Sequence, residues 1–353
     1  MTDDWQKAYQ PRKKGPEEQP EEPADGCSCA GGGDGAACPG ESAACASCPA
    51  AKEKDAAGGC SKSCAGCPSA QGQQTDQARE MSARQKRLEE TEAQIDHSIL
   101  VLSGKGGVGK STVSVNLAWS LALRNSNWVG LLDADLHGPT IPLMMGLKNE
   151  RALSHNNKIL PVPVMSTLKV MSMGFLLEDP TTPVIWRGAI RANAIRQLIS
   201  DVDWGHLDYL VVDLPPGTGD EALTIAQSFP NADGAVVVTT PQEASLEDCR
   251  KAINFIRQVK MPVLGVVENM SGFVCPHCAH EVDIFSKGGG EQMAKEMDVP
   301  FLGRVPLVPE VVAMGDAGRP LVGSDAPEAI REAFEGIAEK LLEQIGSSGD
   351  REA

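Results

Sequence analysis

Gly104-Lys105-Gly106-Gly107-Val108-Gly109-Lys110-Ser111, GKGGVGKS in one-letter code, is the stretch on which the fold turns. It satisfies G-x-x-x-x-G-K-[ST] in the context that gives this pattern meaning, after the apolar run Ile99–Leu102 and before the helical pattern Lys110–Leu123. Glycines without a Cβ let backbone N–H groups turn inward as an anion nest, which the N-terminus of the following helix extends. Lys110 is expected on the β- and γ-phosphates of ATP and the Ser111 hydroxyl on Mg²⁺, with Thr112 ending the nucleotide-binding run. A ligand-free Gly-rich turn is the bland alternative, but it does not require Gly spacing, Lys and Ser to coincide.

Outward from this motif, strands and helices alternate. Apolar runs at Ile99–Leu102, Val129–Leu132, Tyr209–Val212, Ala235–Val238 and Val263–Val267 are short, β-branched and apolar on both faces, as buried parallel strands are. Helical patterns lie between several of them, at Lys110–Leu123, Asp220–Ser228 and Ala244–Val259. A further strand near Phe301–Val305 and a helix from Ala326 to Ile345 follow. The expected fold is α/β, a doubly wound and mostly parallel sheet with its ligand site beyond the strand C-termini. The expected organisation is a Cys-rich, largely disordered tail over residues 1–80, a linker helix over 81–96, an ATPase domain over 97–346 and a short disordered end over 347–353.

Two strand ends supply acids. Asp213, after Tyr209-Leu210-Val211-Val212, is read as the Walker B carboxylate that holds Mg²⁺ through water, and Pro215–Asp220 as a switch loop. At Asp133-Ala134-Asp135 the second acid is the candidate for orienting the attacking water, with Asp133 helping the Mg²⁺ shell. Either Asp has an ordinary reading as an N-cap or turn residue. Val266-Val267-Glu268-Asn269-Met270 ends a strand and resembles the place where related ATPases set an Asn against the base, so that resemblance implies Asn269 as the adenine contact, with Arg304 of Arg304-Val305-Pro306 a second candidate.

Net charge is −16. A nucleic-acid binder needs Lys and Arg to displace counterions, and anionic lipid attracts basic segments, so neither is an expected partner. Residues 1–14 lack an apolar stretch after their charges, and no apolar run approaches the ~18–20 residues that span a bilayer. The expected location is a reducing cytoplasm, where eleven cysteines are better metal or redox candidates than disulfide partners.

Cys275-Pro276-His277-Cys278 aims two thiolates the same way from a short loop after Val263–Val267. A tetrahedral or cubane site needs four ligands. Cys249 stands apart on a predicted helix, where a small buried role suits it better. A two-fold axis is the economical answer, each chain supplying Cys275 and Cys278. From this chemistry alone an iron–sulfur cluster, Zn²⁺ and a dithiol redox pair all stay open. Residues 1–80 hold eight more cysteines among few large apolar residues, so burial cannot offset their ordering entropy unless metal ties them down.

Lys105 resembles the second lysine of the deviant Walker A motif shared by the MinD, ParA, ArsA and nitrogenase iron protein class. That resemblance implies a MinD-like P-loop NTPase in which this lysine reaches the partner's nucleotide across an ATP-dependent sandwich dimer. Further stretches resemble, in order, the Mrp/ApbC family: Asp133–Thr140, Ile185-Trp186-Arg187-Gly188, Asp213–Asp220, Glu268-Asn269-Met270-Ser271-Gly272, Cys275–Cys278, Phe285–Gly290 and Gly303–Leu307. The match covers roughly residues 96–345, with Ala189 where the family often has Pro. It implies a homodimeric, slowly hydrolysing ATPase that binds a labile [4Fe–4S] cluster between subunits on Cys275 and Cys278 and passes it to apo iron–sulfur proteins. Cys38-Pro39-Gly40-Glu41-Ser42 and Ser63–Pro68 look like pieces of the N-terminal cluster motif of the eukaryotic scaffold branch, although the spacing departs from it. The best ligand set there is Cys48, Cys60, Cys64 and Cys67.

Two other classes compete. A MinD- or ParA-like positioning ATPase would use an amphipathic helix as a membrane anchor, but Ala326–Ile345 carries Glu328, Glu332, Glu335, Glu339 and Glu343 on its polar face, where lipid favours Lys and Arg. A reductase like the nitrogenase iron protein would take its ligands from two widely separated cysteines per chain rather than one close pair.

Overall fold

The computed structural model describes residues 86–136, 138–156, 158–177, 188–274, 278, 280–323 and 325–349, together with Ala83. Apart from Ala83, these lie in the unit that starts at Arg84. The tail ligands Cys48, Cys60, Cys64 and Cys67, as well as Cys275, His277 and the Ile185–Arg187 stretch, lie outside the described residues.

A short helix over residues 86–92 leads to β1 (Ile95–Ser103), so the sheet begins inside the segment expected to be linker. Then follow α1 (Lys110–Leu123), β2 (Val129–Asp133), α2 (Ile141–Met144), a small hairpin of β3 (Leu153–His155) and β4 (Lys158–Leu160), β5 (Val162–Met165) and β6 (Leu168–Ser172). After α3 (Ala189–Ser200) come β7 (Leu207–Asp213), α4 (Asp220–Ser228), β8 (Gly234–Thr239) and α5 (Glu243–Gln258). The rest is β9 (Val263–Val274), β10 (Glu281–Val282), α6 (Gly289–Glu296), β11 (Phe301–Leu307), α7 (Glu310–Asp316) and α8 (Glu328–Gly349). α8 runs past residue 346, where a disordered end was expected.

Among the described residues one nine-stranded sheet forms, in the order β10-β9-β8-β1-β7-β2-β6-β5, with β11 also on β9. Pairing is parallel except for β5 on β6 and β10 on β9, both at the margins. Every residue of β2 and β8 is buried, which is why these strands read as continuous apolar runs rather than alternating ones. The parallel register brings the C-terminal ends of β1, β2 and β7 to one edge: Asp133 pairs with Asp213, and Val101 with Asp213. Helices cover both faces, and α8 closes the domain against α1 and β11. Its Ile330, Phe334, Ile337 and Leu341 are buried while the five glutamates are exposed, so the amphipathic face is spent on the core. No helix is long and apolar enough to cross a membrane among the described residues.

Candidate functional site

The turn from β1 into α1 is held by close approach. A Cβ on Gly104 would stand 2.3 Å from the Asp248 backbone of α5, so only glycine lets that helix cross the loop. Gly107 and Gly109 both have φ 81°, in the left-handed region that favours glycine. Ser103 Oγ donates to the Lys105 carbonyl at 2.9 Å and fixes the first bend. Gly106 and Gly107 are exposed, and nothing stands within 4 Å of where their Cβ atoms would be. That open concavity at a helix N-terminus suits phosphate. Lys105 is half-buried at its rim.

Beneath the loop, Lys110 Nζ sits 2.6 Å from Asp213 Oδ2, and Ser111 Oγ donates to the same oxygen at 2.7 Å. Ser114 Oγ donates to the other oxygen, Oδ1, at 2.5 Å. This last contact was not among the expected site residues. Ser114 lies three residues beyond Ser111, on the same helix face, which is the signal that points to it. A hydroxyl and a carboxylate converging beside the phosphate nest form a donor set that fits Mg²⁺, a hard cation that takes oxygen ligands. Thr112, half-buried in the first turn of α1, accepts at its carbonyl from Asn116 Nδ2 at 2.8 Å.

Asp133 and Asp213 are neighbours on adjacent strands, and both are buried. Burial, then the charge of Asp213, pushes Asp133 up to about 8, against Ser172 and Lys110. The Asp133 oxygens accept from Ser172 Oγ at 3.0 Å and from Asp135 N at 3.3 Å. In this arrangement Asp133 supports the β2 loop. Asp135 is half-buried, accepts from Gly138 N at 3.3 Å and borders a cleft of about 660 Å³. Pro215, Pro216, Asp220 and the paired Arg191 and Glu221 line the same cleft. The acid proposed for water and the switch loop therefore share one opening, beside the P-loop rather than within it. Gly217 N donates to the Ser103 carbonyl at 2.9 Å, tying that switch loop to the end of β1.

Asn269, the adenine candidate, is buried under the P-loop and donates from Nδ2 to the Val108 carbonyl at 2.9 Å. Its amide therefore braces the loop. Arg304 pairs with Glu291 and lies over the Phe301 ring at 5.4 Å.

The strands on either side of the cysteine segment pair with each other. β9 continues past its expected end at Val267 to Val274 and pairs antiparallel with β10, Val274 opposite Glu281 and Phe273 opposite Val282. Cys278 lies in the turn between them and is exposed. Cys249 is buried on α5, donates from Sγ to the Val238 carbonyl at 3.5 Å, and its thiol is pushed up by burial, so its role is packing.

Residues 94–342 match the ParA family model described as NUBPL iron-transfer P-loop NTPase. The chain is 50% identical over 259 residues to the iron-sulfur cluster carrier protein of Methanocaldococcus jannaschii, covering 73% of this chain and 88% of that one. It is 51% identical over 226 residues to the cytosolic Fe-S cluster assembly factor CFD1 of Kluyveromyces lactis, covering 62% and 80%. Among solved structures, the nucleotide-binding protein of Archaeoglobus fulgidus in complex with ADP superposes with a TM-score of 0.61 at 37% identity, covering 70% of this chain and 96% of that one.

Proposed function

This chain belongs to the ParA family of P-loop NTPases described as NUBPL iron-transfer proteins, and from that premise we propose that it is an ATP-dependent carrier of iron–sulfur clusters. The cargo is a [4Fe–4S] cluster held by Cys275 and Cys278 of two copies of the chain and delivered to apo-proteins. Gly104, Lys105, Gly106, Gly107, Val108, Gly109, Lys110, Ser111 and Thr112 bind the nucleotide phosphates. Ser111 and, through water, Asp213 hold Mg²⁺, which neutralises phosphate charge when bound. Asp135 orients the attacking water, and Lys105 stabilises the charge that develops on the partner's nucleotide. Hydrolysis is slow and is coupled to transfer. The carrier and assembly-factor names of the Methanocaldococcus and Kluyveromyces relatives support cluster carriage and, for the second, a cytosolic setting.

One observation carries this reading. The exposed Cys278 stands on a hairpin grown from β9, the strand whose Asn269 braces the phosphate loop. β9 thus touches the phosphate loop through Asn269 and leads into the segment that carries the thiol.

The test is anaerobic reconstitution with iron and sulfide, followed by incubation with an apo-enzyme that regains activity with its cluster. Wild-type protein is expected to show visible cluster absorbance and to activate the apo-enzyme, whereas Cys275→Ala/Cys278→Ala loses the hairpin-bound iron and most of the delivery. A colourless, zinc-loaded wild type that activates nothing would make the hairpin a structural metal site instead.

A further inference from the structure

Glu268 is a carboxylate with no exposure to water, placed on β9 immediately before Asn269. A buried charge is costly unless hydrogen bonds replace its hydration. Here they do. Oε1 accepts from Gly288 N at 2.8 Å and from Ser271 Oγ at 2.5 Å, Oε2 accepts from Gly290 N, and Arg304 Nε lies 3.7 Å from Oε1. The two backbone donors belong to the start of α6, where the chain returns from the cysteine hairpin. A Cβ on Gly290 would meet Oε2 at 2.9 Å, so the clamp requires glycine there.

Successive side chains on a strand point to opposite faces. Asn269 therefore reaches one way, to the Val108 carbonyl of the phosphate loop, while Glu268 reaches the other way, to the hairpin's return. Just beyond them the strand bends at Met270 (φ 57°) and Gly272 (φ 72°), both in the left-handed region. A non-glycine residue held there is strained and persists only where its surroundings over-determine it. Ser271, between the two, is bonded to Glu268. Any displacement of Asn269 when phosphate fills the loop acts on a strand whose next contact is the hairpin clamp.

We propose that Glu268 is a positioning residue that couples occupancy of the phosphate loop to the placement of the hairpin carrying Cys278. The coupling runs from Val108 through Asn269 and the bend at Met270 to Glu268, Gly288 and Gly290. Its use in cluster transfer rests on the function proposed above; the coupling itself does not.

The experiment reads the position of Cys278 without any cluster. Reduced, metal-free full-length protein is alkylated with iodoacetamide, with and without saturating Mg·ATPγS, and modification of the Cys278 peptide is followed by mass spectrometry. Coupling between sites commonly amounts to about 5–150-fold, and wild type is expected to change its alkylation rate at least about fivefold on binding nucleotide. Glu268→Gln keeps the shape but not the charge. It is expected to bind ATPγS within about twofold of wild type and to lose that response. Ser271→Ala removes one hydroxyl, tests the same clamp with less risk to folding, and is expected to lower the response partway. A wild-type rate that ignores nucleotide, or a folded Glu268→Gln protein with the full response, would overturn the proposal. Loss of iron binding with the alkylation response intact would sink the carrier function alone.

Discussion

Lys110 Nζ lies 2.6 Å from Asp213 Oδ2, and the carboxylate it meets is fully buried. The P-loop lysine is the counter-ion of this buried acid. When nucleotide takes the lysine, a cation at Ser111 and Asp213 would take its place on the carboxylate.

Lys110→Met is therefore expected to act twice. It removes the proposed phosphate ligand, and it leaves Asp213 buried beside Asp133 without the Lys110 cation. Breaking a buried pair from one side commonly costs about 3–5 kcal/mol. Urea denaturation of the nucleotide-free protein should show a loss of that order. The double variant Lys110→Met/Asp213→Asn should lose clearly less than the sum of the single variants. Additive losses would mean that the contact is not an ion pair in solution.

Replacing Lys105 separates binding from turnover. Lys105→Ala should bind ATP within a few-fold of wild type and lose hydrolysis, by up to the ~10³–10⁵ associated with charge supplied to a phosphoryl-transfer transition state. Phosphate release and nucleotide titration, measured on one preparation, check this. Full turnover in the variant would remove Lys105 from the mechanism.

Gly109→Ala tests the geometry of the loop. The residue has φ 81°, and an added Cβ would stand 2.1 Å from Asn269 Nδ2. Forcing a side chain into that region costs of order 1–3 kcal/mol, and the brace on Val108 must break. Nucleotide affinity should fall at least about tenfold. Gly106→Ala, whose Cβ meets nothing within 4 Å, should leave stability near wild type by thermal melting and lose only phosphate binding.

Much of this site was legible in the chain because it is local. The P-loop, the Asp213 strand end and α4 are contiguous patterns, and the helix Asp220–Ser228 has the bounds its periodicity predicts. What escaped depends on partners distant in sequence. Glu268 sits between apolar Val267 and Asn269, and its partners Gly288 and Gly290 are about twenty residues away. β9 was expected to end at Val267 because polar Glu268, Asn269 and Ser271 break the apolar run, yet each finds a buried partner and the strand runs on. The start of β1 is hidden similarly: Ile95 and Asp96 read as linker, but Ile95 pairs with Leu207 in the same register that carries the apolar run along β7. The bond of Asn269 to Val108 is invisible without the fold.

His97 gives a pH dependence at the other end of the sheet. Its Nδ1 is 3.0 Å from Asp233 Oδ1, and that hydrogen bond raises its pKa against partial burial. A raised folded-state pKa contributes stability that is fully present below the unfolded value, near 6.5, and is lost as pH rises through the folded value. The Tm difference between wild type and His97→Gln should be largest near pH 6 and shrink toward pH 9. It should be small throughout, since the side chain is 38% exposed and water screens the pair. A difference that grows with pH would contradict the pairing.

In the proposed function two chains complete one cluster site. Native mass spectrometry of the anaerobically reconstituted full-length protein tests it most directly. The expected result is a dimer carrying the mass of one [4Fe–4S] cluster beyond whatever iron residues 1–82 hold, and loss of that mass in Cys278→Ala. A monomer that keeps a Cys278-dependent cluster, or a dimer whose iron is unchanged by Cys278→Ala, would contradict it.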